Sequence, residues 1–108
     1  MQVGVTHDNP ILVRIRELMV DEGYYELADT RRNGLIESII YCHKSLHYSC
    51  VIRPNNDPSC VTFELTYGIN PGAFTLTSNE CGSLFNIGHF RQQELYMEKY
   101  IRIIEGGK

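Results

Sequence analysis

The sequence predicts an α+β fold in which two or three helices cover one face of an antiparallel meander sheet of three to four strands, in the order α-α-β-β-β-α. Residues 48–78 contain three short alternating segments separated by two turn sequences. Residues 10–22 and 89–104 carry apolar side chains at helical spacing. A length of 108 residues suits one core and leaves no room for a second. We therefore expect residues 1–108 to form a single domain.

The first helix has a clear start and a clear stop. Asn9 can accept a hydrogen bond from an otherwise unpaired amide, and Pro10 suits the first helical position because it has no N–H to leave unpaired. Gly23 then offers a left-handed stop. Between these signals the apolar residues form one stripe for the core: Ile11, Leu12, Ile15, Leu18 and Met19.

Residues 24–46 allow two interpretations. Tyr24 and Tyr25 could begin a strand whose partner follows the turn-like pair Asn33-Gly34. Beyond that pair, however, the mainly apolar positions recur at intervals that fit a helix better than strict alternation: Leu35, Ile36, Ile39, Ile40, His43 and Leu46. We predict a helix over 34–46 and keep the hairpin as the alternative.

The meander is read from side chains that alternate between apolar and polar. Its first strand has Tyr48, Cys50 and Ile52 on one side, and Pro54 and Pro58 bracket the turn that follows. The central strand presents one apolar side to the core, formed by Val61, Phe63, Leu65 and Tyr67. Its other side is polar, with Glu64 between two threonines, which indicates a solvated face.

The end of the chain is predicted to add one more strand and one more helix. After the turn Asn70-Pro71-Gly72, a third strand runs over 73–77 with Phe74 and Leu76 inward, and a short extra strand is possible at 83–85. The closing helix spans about 89–104 and ends before Gly106-Gly107. Its core stripe is Phe90, Met97, Ile101 and Ile104.

Composition narrows the class of protein. A formal charge of −3 argues against broad attachment to nucleic acid, whose affinity comes largely from cations. No apolar run is long enough to cross a bilayer and the first residues lack a secretory pattern, so we expect a cytoplasmic protein with no membrane partner. The four cysteines do not form a dense framework, and we expect reduced thiols.

Sequence motifs for chemistry are weak. Cys42, His43, His47 and Cys50 lie close in sequence, but they fit no strong zinc template, because structural sites usually pair cysteines two to four residues apart. No oxyanion-binding turn or orienting partner accompanies any cysteine and histidine. We therefore predict no cofactor, no metal and no enzymatic activity.

Surface residues supply the remaining hypotheses. Seven tyrosines and no tryptophan suggest contact residues, because tyrosine adds area at low rotamer cost and keeps a polar end. We predict a partner-binding set of Tyr24, Tyr25, Tyr96, Tyr100 and Ile103. The expected function is an adaptor or inhibitor that occupies another protein's surface, with a homodimer and a phage or mobile-element origin as possibilities.

Two alternative functions remain open from the sequence. A nucleic-acid-binding regulator would use the cations Arg31, Arg32, Lys44 and Arg53, provided that they converge on one face. A small-ligand or metal-dependent enzyme would use His43 and His47.

Overall fold

The computed structural model describes residues 4–6, 8–45, 47–57, 59–67, 75–81 and 87–106, with side chains through Ile103. In chain order the elements are α1 (Pro10–Asp21), β1 (Tyr24–Arg32), β2 (Leu35–His43), β3 (Tyr48–Pro54), β4 (Cys60–Tyr67), β5 (Thr75–Cys81) and α2 (Ile87–Gly106). The strands form one antiparallel sheet in the order β1-β2-β3-β4-β5. The predicted α+β class with an antiparallel meander is confirmed.

Helix α1 begins and ends as its sequence predicts. The Asn9 side-chain oxygen accepts hydrogen bonds from the amides of Ile11 at 3.0 Å and Leu12 at 3.4 Å. Gly23 follows the helix with φ at +91°. The positive φ favours glycine, and an added Cβ would lie 2.9 Å from Nε2 of His43, so the imidazole would also have to move.

The predicted helix over 34–46 is wrong, and the hairpin alternative is correct. Asn33 and Gly34 both have positive φ, 51° and 81°, as a tight hairpin turn requires. Glu37 of β2 has no partner residue in β1 and is therefore an extra residue in the strand. It interrupts the alternation of sides, so Ile36 and Ile39 are both buried although they lie three residues apart. A bulge in a strand therefore imitated the spacing of a helix.

The inward positions of the meander are those that alternation predicts. Val61, Phe63 and Leu65 of β4 are buried, as are Cys50 and Ile52 of β3. These side chains form a single apolar cluster with the buried residues of both helices. The opposite side of β4 carries polar contacts, including the hydroxyl of Thr62 donating to the side-chain oxygen of Asn79 at 2.6 Å.

The last strand lies further along the chain than predicted. The sequence predicts this strand at 73–77 with a connection from Ser78, whereas β5 continues to Cys81 and pairs with β4 along its whole length. Its threonine, serine and asparagine residues are typical of a loop in sequence, but here they form a polar edge strand. Phe74, the turn at 70–72 and the possible strand at 83–85 lie outside the described residues.

A disulfide joins Cys60 and Cys81, so the prediction of reduced thiols is wrong for this pair. The two residues face each other across β4 and β5, with 4.0 Å between their Cα atoms. Their pairing depends on strand register, which cysteine spacing alone does not reveal. Cys42 and the buried Cys50 are free thiols, as predicted.

Helix α2 starts two residues before its predicted boundary and is 20 residues long. Phe90 and Met97 are fully buried and Ile101 is partly buried, which confirms the predicted stripe at these positions. The side chain of Ile104 lies outside the described part. Within the described ranges, neither helix has both the length and the apolar content needed to cross a bilayer.

Candidate functional site

Helix α2 carries exposed apolar residues on the side that faces away from the sheet. Leu95, Tyr96 and Ile103 are 65%, 51% and 63% exposed. At 100° of rotation per residue, these three side chains fall within about 100° of arc, and the exposed Lys99 lies on the same arc between Leu95 and Ile103. We name this side of the helix the α2 outer face. Gln92 donates a hydrogen bond to the Tyr96 hydroxyl at 3.3 Å and thereby extends this surface by one turn.

A groove adjoins the α2 outer face where the end of α1, the start of β3 and helix α2 meet. Its volume is about 520 Å³, and it opens to solvent. We name it the α2 groove and define it by its lining: Glu22, Tyr48, Arg91, Glu94, Leu95 and Glu98. Leu95 belongs to both surfaces, so the apolar face and the groove are continuous.

The wall of the groove is fixed by an ion pair between the two helices. Arg91 donates from Nε and Nη2 to the two carboxylate oxygens of Glu22, at 3.0 and 2.7 Å. Glu22 caps the end of α1, where its amide donates to the carbonyl of Leu18 at 2.9 Å. The guanidinium of Arg91 lowers the pKa of Glu22, because its hydrogen bonds favour the charged carboxylate.

The floor of the groove contains a half-buried carboxylate in a different environment. The hydroxyl of Tyr24, a fully buried residue, donates to Oε2 of Glu94 at 2.8 Å. Burial raises the pKa of Glu94, since the charged carboxylate loses hydration. Burial, together with this hydrogen bond, also raises the pKa of Tyr24. Among the described residues, no cation forms an ion pair with Glu94, whereas Glu22 pairs with Arg91 and Glu98 with Arg102.

Tyr48 closes the groove from the sheet side. It is only 8% exposed, and no described residue forms a hydrogen bond with its hydroxyl. Burial raises the pKa of Tyr48, and the nearby charges of Glu98 and Glu94 act in the same direction. The groove therefore presents an unionised phenol beside the carboxylates.

The structure separates the predicted partner-binding residues. Tyr96 and Ile103 lie on the α2 outer face, and Tyr100 is half-buried on its flank. Tyr25 is 44% exposed but points to the opposite side of the sheet from its neighbour, because successive strand residues alternate. Tyr24 was placed in this set wrongly, since it is 1% exposed and packs its ring against Phe90 at 5.6 Å.

The predicted basic patch does not form one surface. Arg31 and Arg32 lie near the hairpin turn, while Lys44 follows the other end of β2, about 25 Å away by strand rise. Each of the three arginines has a carboxylate neighbour: Arg31 pairs with Asp29 at 3.2 Å, Arg32 with Glu37 at 3.0 Å, and Arg53 with Glu64. These cations are therefore spread along the sheet and partly neutralised.

The cysteines and histidines considered for metal binding are also dispersed. Cys42 and His43 are neighbours on β2, whose successive side chains point to opposite faces, and Cys50 is buried in the core. Nδ1 of His43 accepts a hydrogen bond from the amide of Ser45 at 3.0 Å. In the part of the chain that the structure describes, no three His, Cys, Asp or Glu residues are placed to hold a metal ion.

The α2 groove was missed from the sequence because Glu22 and Tyr24 lie 69 and 70 residues from their partners. A partial signal existed: Arg91, Glu94, Leu95 and Glu98 recur at helical spacing and share one face of α2. Comparison of the chain with protein-family models, curated proteins and solved structures finds no match.

Proposed function

We propose that this protein is a small interaction module that binds the surface of another protein through the α2 outer face, acting as an adaptor or inhibitor. The observation that carries the proposal is the exposure of Leu95, Tyr96 and Ile103 on one side of a helix whose other side is already buried. Single exposed apolar residues are ordinary, but several on one side of a helix are typical of contact surfaces. Lys99, which lies between Leu95 and Ile103, adds an apolar stem and a charged end to this face.

The chemistry of this face supports a protein as the occupant. Tyrosine is enriched among residues that dominate binding energy, and aliphatic neighbours exclude water around it. The adjoining α2 groove adds polar groups at the rim, as interfaces between separately folded proteins usually have. A second copy of the chain is the alternative occupant, and it is distinguished by the oligomeric state.

The test compares Ile103→Ser and Leu95→Ser with Val20→Ser. Val20 on α1 is 59% exposed, so its replacement removes a similar apolar area from the other helix. The three variants and the wild type serve as baits for affinity purification from native host cells, and each captured protein is then purified and titrated by calorimetry.

We expect a captured protein to bind wild type and Val20→Ser equally and to lose at least about tenfold in affinity with Ile103→Ser and Leu95→Ser. Equal affinity for all four baits would refute the proposal. Light scattering at micromolar concentration measures the oligomeric state and supplies the second criterion. If the wild type is a dimer and Ile103→Ser is a monomer, the occupant of the α2 outer face is a second copy of the chain and not a different protein.

The compartment is a separate question. The cytoplasmic location expected from the sequence stays a prediction, and the Cys60–Cys81 disulfide weighs against it, because cytosolic reductants keep most thiols reduced. Alkylation of intact cells followed by mass spectrometry of the protein measures which state is present. Labelling of both Cys60 and Cys81 would favour the cytoplasm, whereas the buried Cys50 is shielded from the reagent in the folded protein.

A further inference from the structure

One of the carboxylates that line the α2 groove forms no ion pair with a described residue. Three carboxylates line it, from Glu22, Glu94 and Glu98. Glu22 accepts hydrogen bonds from Nε and Nη2 of Arg91, and a carboxylate oxygen of Glu98 lies 2.5 Å from a guanidinium nitrogen of Arg102. Glu94 receives the neutral hydroxyl of Tyr24 and forms no ion pair among the described residues. The one lining cation whose charge acts on it, Arg91, binds Glu22 directly.

A second group in the groove points to a ligand independently of this charge. The ring of Tyr48 is more than nine-tenths buried, and its hydroxyl opens to the groove with no hydrogen-bond partner among the described residues. Such a hydroxyl can accept a hydrogen bond from an N–H donor, and the electron-rich ring attracts cations. A phenol oxygen and a lone carboxylate at one site suit a donor that carries positive charge.

The remaining lining fits the stem of a basic side chain. Leu95 offers an apolar wall, against which the methylene groups of a Lys or Arg side chain can pack while the head group reaches the polar floor. The volume of about 520 Å³ is in the range of small-ligand sites and exceeds what one such side chain needs. An anionic group would face three carboxylates and one lining cation, Arg91, whose Nε and Nη2 already donate to Glu22, and it is therefore disfavoured.

We infer that the α2 groove binds the alkylammonium or guanidinium group of a Lys or Arg side chain, which the partner presents beside Leu95 and directs toward Glu94 and Tyr48. The assignment of this cation to a partner protein rests on the proposed function. The preference of the groove for a cation rests only on the groove itself. The two parts are therefore tested separately.

The first experiment titrates the wild-type protein with the N-acetyl N-methylamides of lysine, arginine and norleucine, monitored by NMR of the backbone amides and of the Glu94 side-chain carboxyl. Norleucine supplies the apolar stem without the charge. We expect the lysine and arginine compounds to shift the signals of Glu94, Leu95 and Tyr48, and to bind at least about tenfold more tightly than norleucine. Equal binding of the three compounds would overturn the inference.

Two variants locate the site, and a third is their control. Glu94→Gln keeps an acceptor for Tyr24 and removes the charge, while Tyr48→Phe keeps the ring and removes the hydroxyl. We expect about tenfold weaker binding of the lysine compound to the first and a smaller loss with the second. Glu17→Gln removes an exposed carboxylate on α1, with 63% of its side chain accessible, and should leave binding unchanged. An equal loss with Glu17→Gln would mean that the compounds respond only to net charge, and the site would be rejected.

A last comparison separates a partner's side chain from a free amine. Spermidine that binds ten times more tightly than the lysine compound would identify a metabolite as the occupant and overturn the assignment to a partner. If the lysine compound binds as expected while Ile103→Ser leaves every captured protein bound, the proposed function fails and the cation site stands. If partner capture depends on Ile103 but the compounds do not bind, only the cation site fails.

Discussion

The two helices are attached to the same sheet by different means. Helix α1 has 12 residues, and four of them are almost completely buried: Ile11, Leu12, Ile15 and Met19. Helix α2 has 20 residues, yet among its described side chains only Phe90 and Met97 are buried to this degree. Its flanks are held by polar contacts instead, through Arg91 to Glu22, Glu94 to Tyr24 and His89 to Glu80.

This difference separates a structural helix from a helix suited to recognition. Apolar burial is non-directional and does not change with pH, so α1 serves chiefly to close the core. Polar contacts fix the rotation of α2, and that rotation decides which side chains face solvent. Because α2 buries only part of its apolar surface in the core, Leu95, Tyr96 and Ile103 remain exposed to a partner.

The largest effect is expected from the main apolar anchor of α2. Phe90 packs its ring 5.2 Å from that of Phe63 and 5.6 Å from that of Tyr24. Phe90→Ala should lower the free energy of unfolding by about 3–5 kcal/mol, as measured by urea denaturation. Ile103→Ala on the same helix should change it by less than about 0.5 kcal/mol. Similar losses for the two variants would contradict the assignment of a buried and an exposed side to α2.

The disulfide is expected to matter next. Cys60 and Cys81 are 21 residues apart, and removing the bond by Cys60→Ala with Cys81→Ala should cost about 3 kcal/mol through the larger freedom of the unfolded chain. Hydrogen exchange should increase first in β5 and at the start of α2, since His89 contacts Glu80 of β5. Cys42→Ser removes a thiol that forms no disulfide and is the control. Faster exchange confined to α1 would contradict this order.

The start of α1 gives a smaller effect. Asn9→Ala removes the acceptor for two amides and should lower the free energy of unfolding by about 1 kcal/mol. Asn9→Asp retains an acceptor oxygen and should stay within about 0.5 kcal/mol of wild type. Thermal denaturation of both variants measures the difference. An alanine variant as stable as the aspartate variant would show that the cap does not hold this helix.

The smallest effect distinguishes the two carboxylates of the α2 groove. Because the pKa of Glu94 is raised above its ordinary value of 4.5, the folded protein retains this proton more readily than the unfolded chain does. The stability associated with the protonated group is therefore lost as the pH rises from about 4.5 through the raised pKa. The Glu94→Gln variant has no group that titrates at this position, so it does not lose this stability. Its free energy of unfolding relative to wild type should therefore increase as the pH rises from about 4.5 through the raised pKa, by less than about 1 kcal/mol.

Glu22 provides the opposite sign within the same groove. Arg91 lowers the pKa of Glu22, so the stability from this ion pair is present above about pH 4.5 and is lost as the pH falls through the lowered value. The difference between wild type and Glu22→Gln, measured by urea denaturation from pH 3 to pH 7, should therefore grow with pH in favour of wild type. If the two glutamine variants changed in the same direction, the contrast between paired and unpaired carboxylates would fail.

Local signals in the sequence were enough to define α1 and the meander. Asn9, Pro10 and Gly23 act through the backbone of their own turn, so their effect does not depend on distant residues. The alternation in β4 reports burial directly, because one side of the strand meets the core wherever the neighbouring strands lie. The apolar stripe of α2 was likewise readable through Phe90 and Met97.

Tertiary structure decided the features that depend on register and on distant pairs. Ile36 and Ile39 imitate a helix because β1 pairs with β2 past Glu37, and spacing alone does not reveal a bulge. The Cys60–Cys81 bond requires the alignment of β4 with β5. The α2 groove arises only when α2 lies against the end of α1 and the start of β3, because its ion pair and its buried hydrogen bond join residues about 70 positions apart.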